Sequence, residues 1–458
     1  MRILFINFTN FVQGRHPRHI LPPLDIGYCA SLLDEKDYKT ELLEIIEVKH
    51  LQQTLDFVES EKIDVIVLKP FLNPQLALKL ATKLERFVRC IIVMGPVASL
   101  SPHEFIFKNS PVDFCVIGEP EFTVLELIDT VQNKRSKKNV RGIAFFSSSR
   151  NKLVKTRRRK LIKNLDRLPF PKHSFFLDGG YNFFYPVNMR KKMKISNMLA
   201  SRGCPYNCLF CSPIERVSYE KKFRVRSAKN VVDEMQFLKK IGVNAIYFRD
   251  DCFNVNKKWV IGFCDEIISR GLKIKWVAQC RVDLLDEKIL TKMKEAGCST
   301  VCLGVESGSD RILSILNKGV TVKKMQEMIK LIDKIGIWIV CFFIIGNPSE
   351  TESEMKQTFR FAKQLLPDMI QLHFFTPYPG SLAFKSSEAV DGFSKFWPLN
   401  SFSQMNIEKL KKFQKYFYRK YYFNPRFIKK FIFRSSIPLI KNYSIDINLI
   451  KTTLKFLL

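Results

Sequence analysis

The chain has 458 residues, 46% of them hydrophobic, and its 75 Lys and Arg against 44 Asp and Glu leave a formal charge of +31. That is too long for one compact core and implies two or three domains, with apolar content enough to build them. The charge favours a polyanionic partner, an anionic membrane surface or an acidic substrate, although a lysine-rich composition alone gives such totals.

The chain opens on MRILFINF, which has no small-residue cleavage site and reads as a first strand instead of a secretory signal. Short apolar runs then recur at 3–8, 40–46, 64–69, 90–95 and 113–118, with helix-like segments such as 24–34 and 75–88 between them. Continuous apolar strands alternating with helices predict a parallel sheet covered on both faces. Such a doubly wound, Rossmann-like α/β domain, placed at 1–140, binds ligands in the loops that follow its strands: 9–23, 70–74, 95–101 and 118–121.

Over 141–195 the alternation stops. GIAFF and LVKT around a polar turn predict a hairpin, and TRRRK followed by LPFPKH predicts an extended link and a domain boundary. From 196 to 390 strands and helices resume, with strands at ISNMLAS, NAIYFRD, IKWVAQC, TVCLGVE, WIVCFFIIG and MIQLHFF. Helices are expected at 227–240, 286–296, 309–318, 322–335 and 351–366. Six units are too few for a closed eight-unit barrel, so a partial (βα)6 barrel is expected, with its site at the strands' C-terminal mouth. The longest uncharged apolar run, 335–346, is shorter than the roughly 18–20 residues of a membrane span and suits a buried strand. Residues 391–458 are expected to form a basic, aromatic, helical C-terminal region. In it, 405–434 carry ten Lys and Arg against one acid, and Leu410, Phe413, Phe417 and Tyr421 recur at helical spacing. That stripe suits either packing on the barrel or a membrane surface. It favours a membrane surface over RNA, because its aromatics line the apolar stripe instead of alternating with exposed base-stacking positions.

Of twelve cysteines, Cys29, Cys115, Cys302 and Cys341 stand singly in apolar segments, as buried thiols do. Cys204, Cys208 and Cys211 are instead clustered in SRGCPYNCLFCSP (201–213). A structural zinc site wants four ligands, commonly as two distant pairs. Three thiolates in one tight loop suit a 4Fe–4S cluster with one iron left open for a small molecule.

CxxxCxxC after a first barrel strand resembles the radical S-adenosylmethionine (SAM) enzymes. The resemblance makes Cys204, Cys208 and Cys211 the cluster ligands and puts Phe210 near the adenine of SAM. It implies that one electron from the cluster cleaves SAM to methionine and a 5′-deoxyadenosyl radical, and that an external electron donor serves it. FRDDCF (248–253) looks like the family's segment after the second strand, with Asp250 and Asp251 at the mouth as acceptors for the SAM ammonium. QCRVD (279–283) and LGVESGSDRIL (303–313) make Arg281 and Glu306 SAM-contacting candidates, with a salt bridge between the two as the structural alternative. IIGNPSET (344–351) and FTPYPGS (375–381) resemble the family's turns after the fifth and last strands.

PPLDIGYCASLL (22–33), VIGEPE (116–121), LDRLPFP (165–171) and YFYRKYYFNPRFI (416–428) look like the branch with an N-terminal cobalamin-binding domain. For cobalamin the resemblance points to Gly95, Ser99, Gly118 and Glu119. The DxHxxG segment that gives some cobalamin proteins their axial histidine is absent, although His16 or His19 could reach a cobalt. The resemblance implies a cobalamin-dependent methyltransferase acting on an unactivated carbon of a small-molecule or lipid-linked substrate. A radical cyclase or rearranging enzyme on a tetrapyrrole or lipid is the alternative, and a non-catalytic membrane-associated scaffold is a third reading. The cytoplasm is the expected location, at the inner face of the membrane if the tail makes peripheral contact with lipid. No nucleic-acid partner is expected.

Overall fold

The computed structural model describes residues 1–8, 22–45, 50–70, 74–177, 194–211, 220–377, 380–384 and 402–435. His16 and His19, and most of the loop 70–74, lie outside the described residues.

The first sheet has seven strands in the order β2-β1-β3-β4-β5-β6-β7. Strands β1 (Arg2–Phe8), β2 (Lys39–Ile45), β3 (Val65–Lys69), β4 (Cys90–Val93) and β5 (Phe114–Val116) are parallel. Their apolar runs are buried on both faces, because the helices Leu24–Asp34 and Glu121–Gln132 cover one side and His50–Glu61 and Pro74–Leu84 the other. The parallel order 2-1-3-4-5 places a ligand crevice at the carboxyl ends of the strands, where the order reverses. The hairpin expected to start the link instead extends this sheet. β6 (Ile143–Ser147) pairs antiparallel with β5, and β7 (Lys152–Lys155) with β6. The segment after it is packed as well: Ile162, Leu165, Leu168 and Phe176 are buried against Leu24, Tyr28 and Leu32.

The second sheet runs β15-β14-β13-β12-β11-β8 and is parallel throughout. Its strands are β8 (Ile195–Met198), β11 (Ala245–Phe248), β12 (Lys275–Cys280), β13 (Cys298–Glu306), β14 (Trp338–Ile345) and β15 (Met369–Phe374). This is a partial (βα)6 barrel. A two-residue ladder of β9 (Ser201–Arg202) and β10 (Arg224–Val225) stands beside it. Ser227, Asn256, Asp286, Ser309, Thr321 and Thr351 each cap the start of a barrel helix by accepting a backbone N–H. Each such cap is worth about 1 kcal/mol. Period-two alternation sends Ile246, Phe248, Trp276, Val301 and Ile339 into the core under the helices. Ala245, Tyr247, Val277, Cys302 and Val340 face the barrel interior.

An open barrel leaves an edge strand, here β15, whose backbone needs partners. The tail helix Ile407–Tyr422 supplies them. Tyr418 Oη accepts the Leu372 N–H at 2.8 Å, Tyr422 Oη accepts the Ile370 N–H at 3.0 Å, and Gln414 donates to the Leu372 carbonyl at 2.7 Å. Leu410, Phe417 and Tyr421 are buried in the barrel core and Phe413 packs on it. The aromatic stripe that suited a lipid surface is thus spent on the protein. Among the described residues no helix is long and apolar enough to cross a membrane.

Candidate functional site

The cysteine loop hangs from the β9–β10 ladder. Gly203 turns the chain out of β9 at φ +82°, and a Cβ there would lie 2.5 Å from the Lys222 carbonyl oxygen, so the turn requires glycine. The loop is pinned from beneath. The Leu209 N–H donates to the Leu316 carbonyl at 2.9 Å, and Asn317 Nδ2 to the Asn207 carbonyl at 2.9 Å. Cys208 is buried, whereas Cys204 and Cys211 are partly exposed. Phe210 packs with Ile312, Leu316, Ile344 and Phe375.

Two cations stand against this loop. Arg281 Nη1 donates to Cys208 Sγ at 3.7 Å, and its guanidinium lies 3.6 Å from the centre of the Tyr206 ring. Asp283 and the Lys318 carbonyl fix its other nitrogens. Lys318 is the second cation, buried, with Nζ 2.8 Å from Glu306 Oε1 and 5.8 Å from the centre of the Phe210 ring. Burial works to strip its proton, but Glu306 and then Cys208 more than offset this, and its pKa rises.

Glu306 ends β13 at φ +64°, just where the register with β14 slips. The bulge aims its carboxylate back over Gly304. A Cβ at Gly304 would sit 2.3 Å from Glu306 Oε1 and 2.7 Å from Lys318 Nζ. The expected alternative of a Glu306–Arg281 bridge is therefore corrected: Glu306 pairs with Lys318, and Arg281 with Asp283.

Asp250 also has a different place from the one expected. It shares the outward parity of Ile246 and Phe248, is buried, and accepts the N–H groups of Ala200 and Ser201 and the Ser201 hydroxyl. It therefore ties the end of β11 to the chain that leads into the cysteine loop. Burial pushes its pKa up to about 6 despite those bonds. Asp251 is partly exposed beyond the strand end.

At the carboxyl ends of the first sheet, Gly95 (φ +100°) and Gly118 (φ +87°) follow β4 and β5. Ser99 Oγ joins the two loops by accepting the Gly118 N–H at 3.0 Å. Glu119, expected in the same set, turns instead to the barrel. It accepts from Arg202 at 3.0 Å, from Arg224 at 2.9 Å and from the Ile162 N–H at 2.7 Å. Glu121 takes the other end of Arg202 at 2.6 Å. Sequence reasoning missed Arg202 and Lys318; the one available signal was Arg202's position two residues before Cys204.

Among the described residues no three His, Cys, Asp or Glu side chains are disposed to hold a metal ion as they stand. The fit to an iron–sulfur group lies in the donor set: three thiols on one pinned loop, with the buried cations Arg281 and Lys318 beside Cys208 to balance thiolate charge. For a corrinoid, the fit lies in the crevice after β4 and β5, where Gly95 and Gly118 turn at positive φ with the cationic side chains of Lys69 and Arg158 lying against them.

The model of the radical SAM superfamily matches residues 198–362. The chain is 30% identical over 442 residues to an uncharacterized methyltransferase of Pyrococcus horikoshii, covering 92% of each. It is 29% identical over 398 residues to the anaerobic magnesium-protoporphyrin IX monomethyl ester cyclase of Rubrivivax gelatinosus, covering 84% of this chain and 70% of that one. Among solved structures, the cobalamin-dependent SAM radical enzyme OxsB superposes with a TM-score of 0.66 at 20% identity, over 79% of this chain and 52% of OxsB. The methyltransferase TsrM of Kitasatospora setae, solved with cobalamin and a [4Fe-4S] cluster, gives 0.65 at 16% identity, over 83% of this chain and 73% of TsrM.

Proposed function

Because the chain belongs to the radical SAM superfamily, we propose that this radical SAM enzyme is a cobalamin-dependent methyltransferase acting on an unactivated carbon. Cys204, Cys208 and Cys211 hold the 4Fe–4S cluster in this reading, and Gly95, Ser99 and Gly118 face the corrinoid. When bound, the cluster supplies the electron that cleaves SAM and the corrinoid supplies a methyl carrier. Arg281 and Lys318 offset thiolate charge and present donors to the SAM carboxylate. Glu306 offers an acceptor to its ammonium, and Phe210 an apolar face to its adenine. Asp250 acts indirectly, by fixing the strand end that leads into the loop. An external electron donor and a small-molecule or lipid-linked substrate complete the scheme.

One observation carries the reading. The ladder at the base of the cysteine loop sends both its arginines, Arg202 and Arg224, to Glu119 in the loop after β5. The cluster loop and the carboxyl ends of the first sheet are thereby held against each other, as transfer between two cofactors in one dry cavity requires.

The test is anaerobic reconstitution with iron, sulfide and hydroxocobalamin, followed by assay of metal, corrinoid and SAM products. Near-stoichiometric corrinoid, with S-adenosylhomocysteine formed beside 5′-deoxyadenosine, is the expected result. A filled cluster with no corrinoid would sink methyl transfer through cobalt. It would favour the second reading, a radical cyclase or rearranging enzyme, which the similarity to the anaerobic cyclase supports.

A further inference from the structure

Inside the barrel, Ala245, Val277, Cys302 and Val340 form an apolar floor, with Phe342 and Met369 packed on it. Above it the lining turns polar. Tyr247 Oη accepts from Gln279 Nε2 at 2.7 Å, and Asn197, in register with Tyr247 on the neighbouring strand, is buried with its Oδ1 making no hydrogen bond among the described residues. Just past the end of β11 stands Arg249, two residues after Tyr247 and so of the same parity, its guanidinium carbon 5.8 Å from the centre of the Tyr247 ring. Its Nε and Nη1 are buried and donate to nothing among the described residues.

Arg249 as a whole is partly buried, and the chain treats its buried cations differently. Arg202 has Glu119 and Glu121, Arg226 has Glu234, Arg281 has Asp283, and Lys318 has Glu306. A guanidinium keeps its charge at any physiological pH, so leaving its donors buried and unmatched is costly. Each of these two N–H groups can give a charge-assisted hydrogen bond to an oxygen of a carboxylate or phosphate, about twice as strong as a neutral one.

We propose that Arg249 is the anchor of a substrate site inside the barrel, and that the substrate carries an oxyanion, carboxylate or phosphate, on a largely apolar body. The body lies over the floor of Ala245, Val277, Cys302 and Val340, and Asn197 Oδ1 accepts from a hydroxyl or amine of the same molecule. The inference rests on the radical SAM reading in one respect: SAM occupies the side of the mouth next to Cys208, where Arg281 and Lys318 already meet its carboxylate, and Arg249 is left for the substrate.

Calorimetric titration of inorganic phosphate into the full chain, at one fixed high ionic strength, tests the site without cluster or turnover. Wild type should show one saturable site, and Arg249→Gln should bind phosphate about ten- to a hundredfold more weakly, the worth of a charge-assisted pair. SAM affinity of the reconstituted protein should change by less than about twofold. Equal phosphate binding by the two proteins overturns the proposal. So does a loss of SAM binding with phosphate binding unchanged, which would hand Arg249 to the SAM carboxylate. If Arg249→Gln does not fold, Arg249→Lys carries the comparison: it keeps the charge but removes the donors at Nε and Nη1, so weaker phosphate binding supports the site and unchanged binding overturns it. Failure to bind cluster or SAM would count against the enzymatic reading alone, because phosphate binding needs neither.

Discussion

Glu119 and Arg202 join the two sheets of the molecule, Oε1 to Nη1 at 3.0 Å, with both side chains almost wholly buried. Arg202 lies two residues before Cys204, so this contact sets where the cysteine loop begins. Glu119→Ala would leave Arg202 and Arg224 buried beside one remaining carboxylate, Glu121. Removing one partner of a buried pair typically costs about 3–5 kcal/mol. The expected result is a lower melting temperature together with a lower iron content after reconstitution. Full iron content at an unchanged melting temperature would refute the coupling.

Gly304 gives a cleaner lesion at the mouth. Its backbone suits any residue, but a methyl there would strike the tips of Glu306 and Lys318. Both are ends of flexible side chains and can swing away, so Gly304→Ala should fold while its ion pair is displaced. SAM affinity should fall about tenfold or more, as for loss of a charged hydrogen bond. Equilibrium dialysis on reconstituted protein measures it, with circular dichroism as the fold control. Wild-type affinity would remove Glu306 and Lys318 from the SAM site.

Much of this was legible in the sequence because its signals are local. The strands of both sheets stand out as apolar runs, and the cysteine loop is written in eight consecutive residues, Cys204 to Cys211. The partners of those local features were not legible. Lys318 is one lysine in a loop, and only the bulge at Glu306 brings the two together. The motif puts Asp250 at the mouth, but the alternation that sends Phe248 outward sends Asp250 the same way. Glu119 sits in a glycine-bearing loop that suggested a ligand, but its partners Arg202 and Arg224 are remote in sequence. The tail helix revealed its apolar stripe without revealing that an open strand edge was waiting for it.

Glu350 makes the fold pH-sensitive. It is buried after β14, where its Oε2 accepts the backbone and side-chain N–H groups of Asn347, while its Oε1 has no partner among the described residues. Burial, only partly countered by those bonds, raises its pKa from 4.5 to about 7. The folded state therefore holds the proton more tightly than the unfolded chain between those values. Its contribution is fully present below pH 4.5 and is lost as pH rises through about 7, by roughly 3 kcal/mol in all. Glu350→Gln keeps an acceptor for Asn347 and abolishes the titration. Urea midpoints across this range should fall with pH for wild type by more than for the variant, and above pH 7 the variant should be the more stable. Parallel pH curves would contradict this.

The apolar stripe of the tail helix suits either the barrel edge or a lipid surface, and the two roles ask different things of its tyrosines. If Tyr418 and Tyr422 serve β15, their hydroxyls matter more than their rings, since each accepts an edge N–H that would otherwise face no protein partner. Replacing both by Phe keeps the apolar surface and removes the acceptors, at about 1–3 kcal/mol for each amide left unpaired. The bared edge also becomes a template for pairing with other chains. The double variant should melt earlier and aggregate at lower temperature, whereas Tyr416→Phe, on a residue 48% exposed, should do neither. A lipid-binding face predicts the opposite pattern: two added Phe would strengthen vesicle binding and leave the melting temperature where it was. Scanning calorimetry with light scattering, beside a vesicle sedimentation assay, separates the two, because only the edge-sealing role depends on the hydroxyl oxygens.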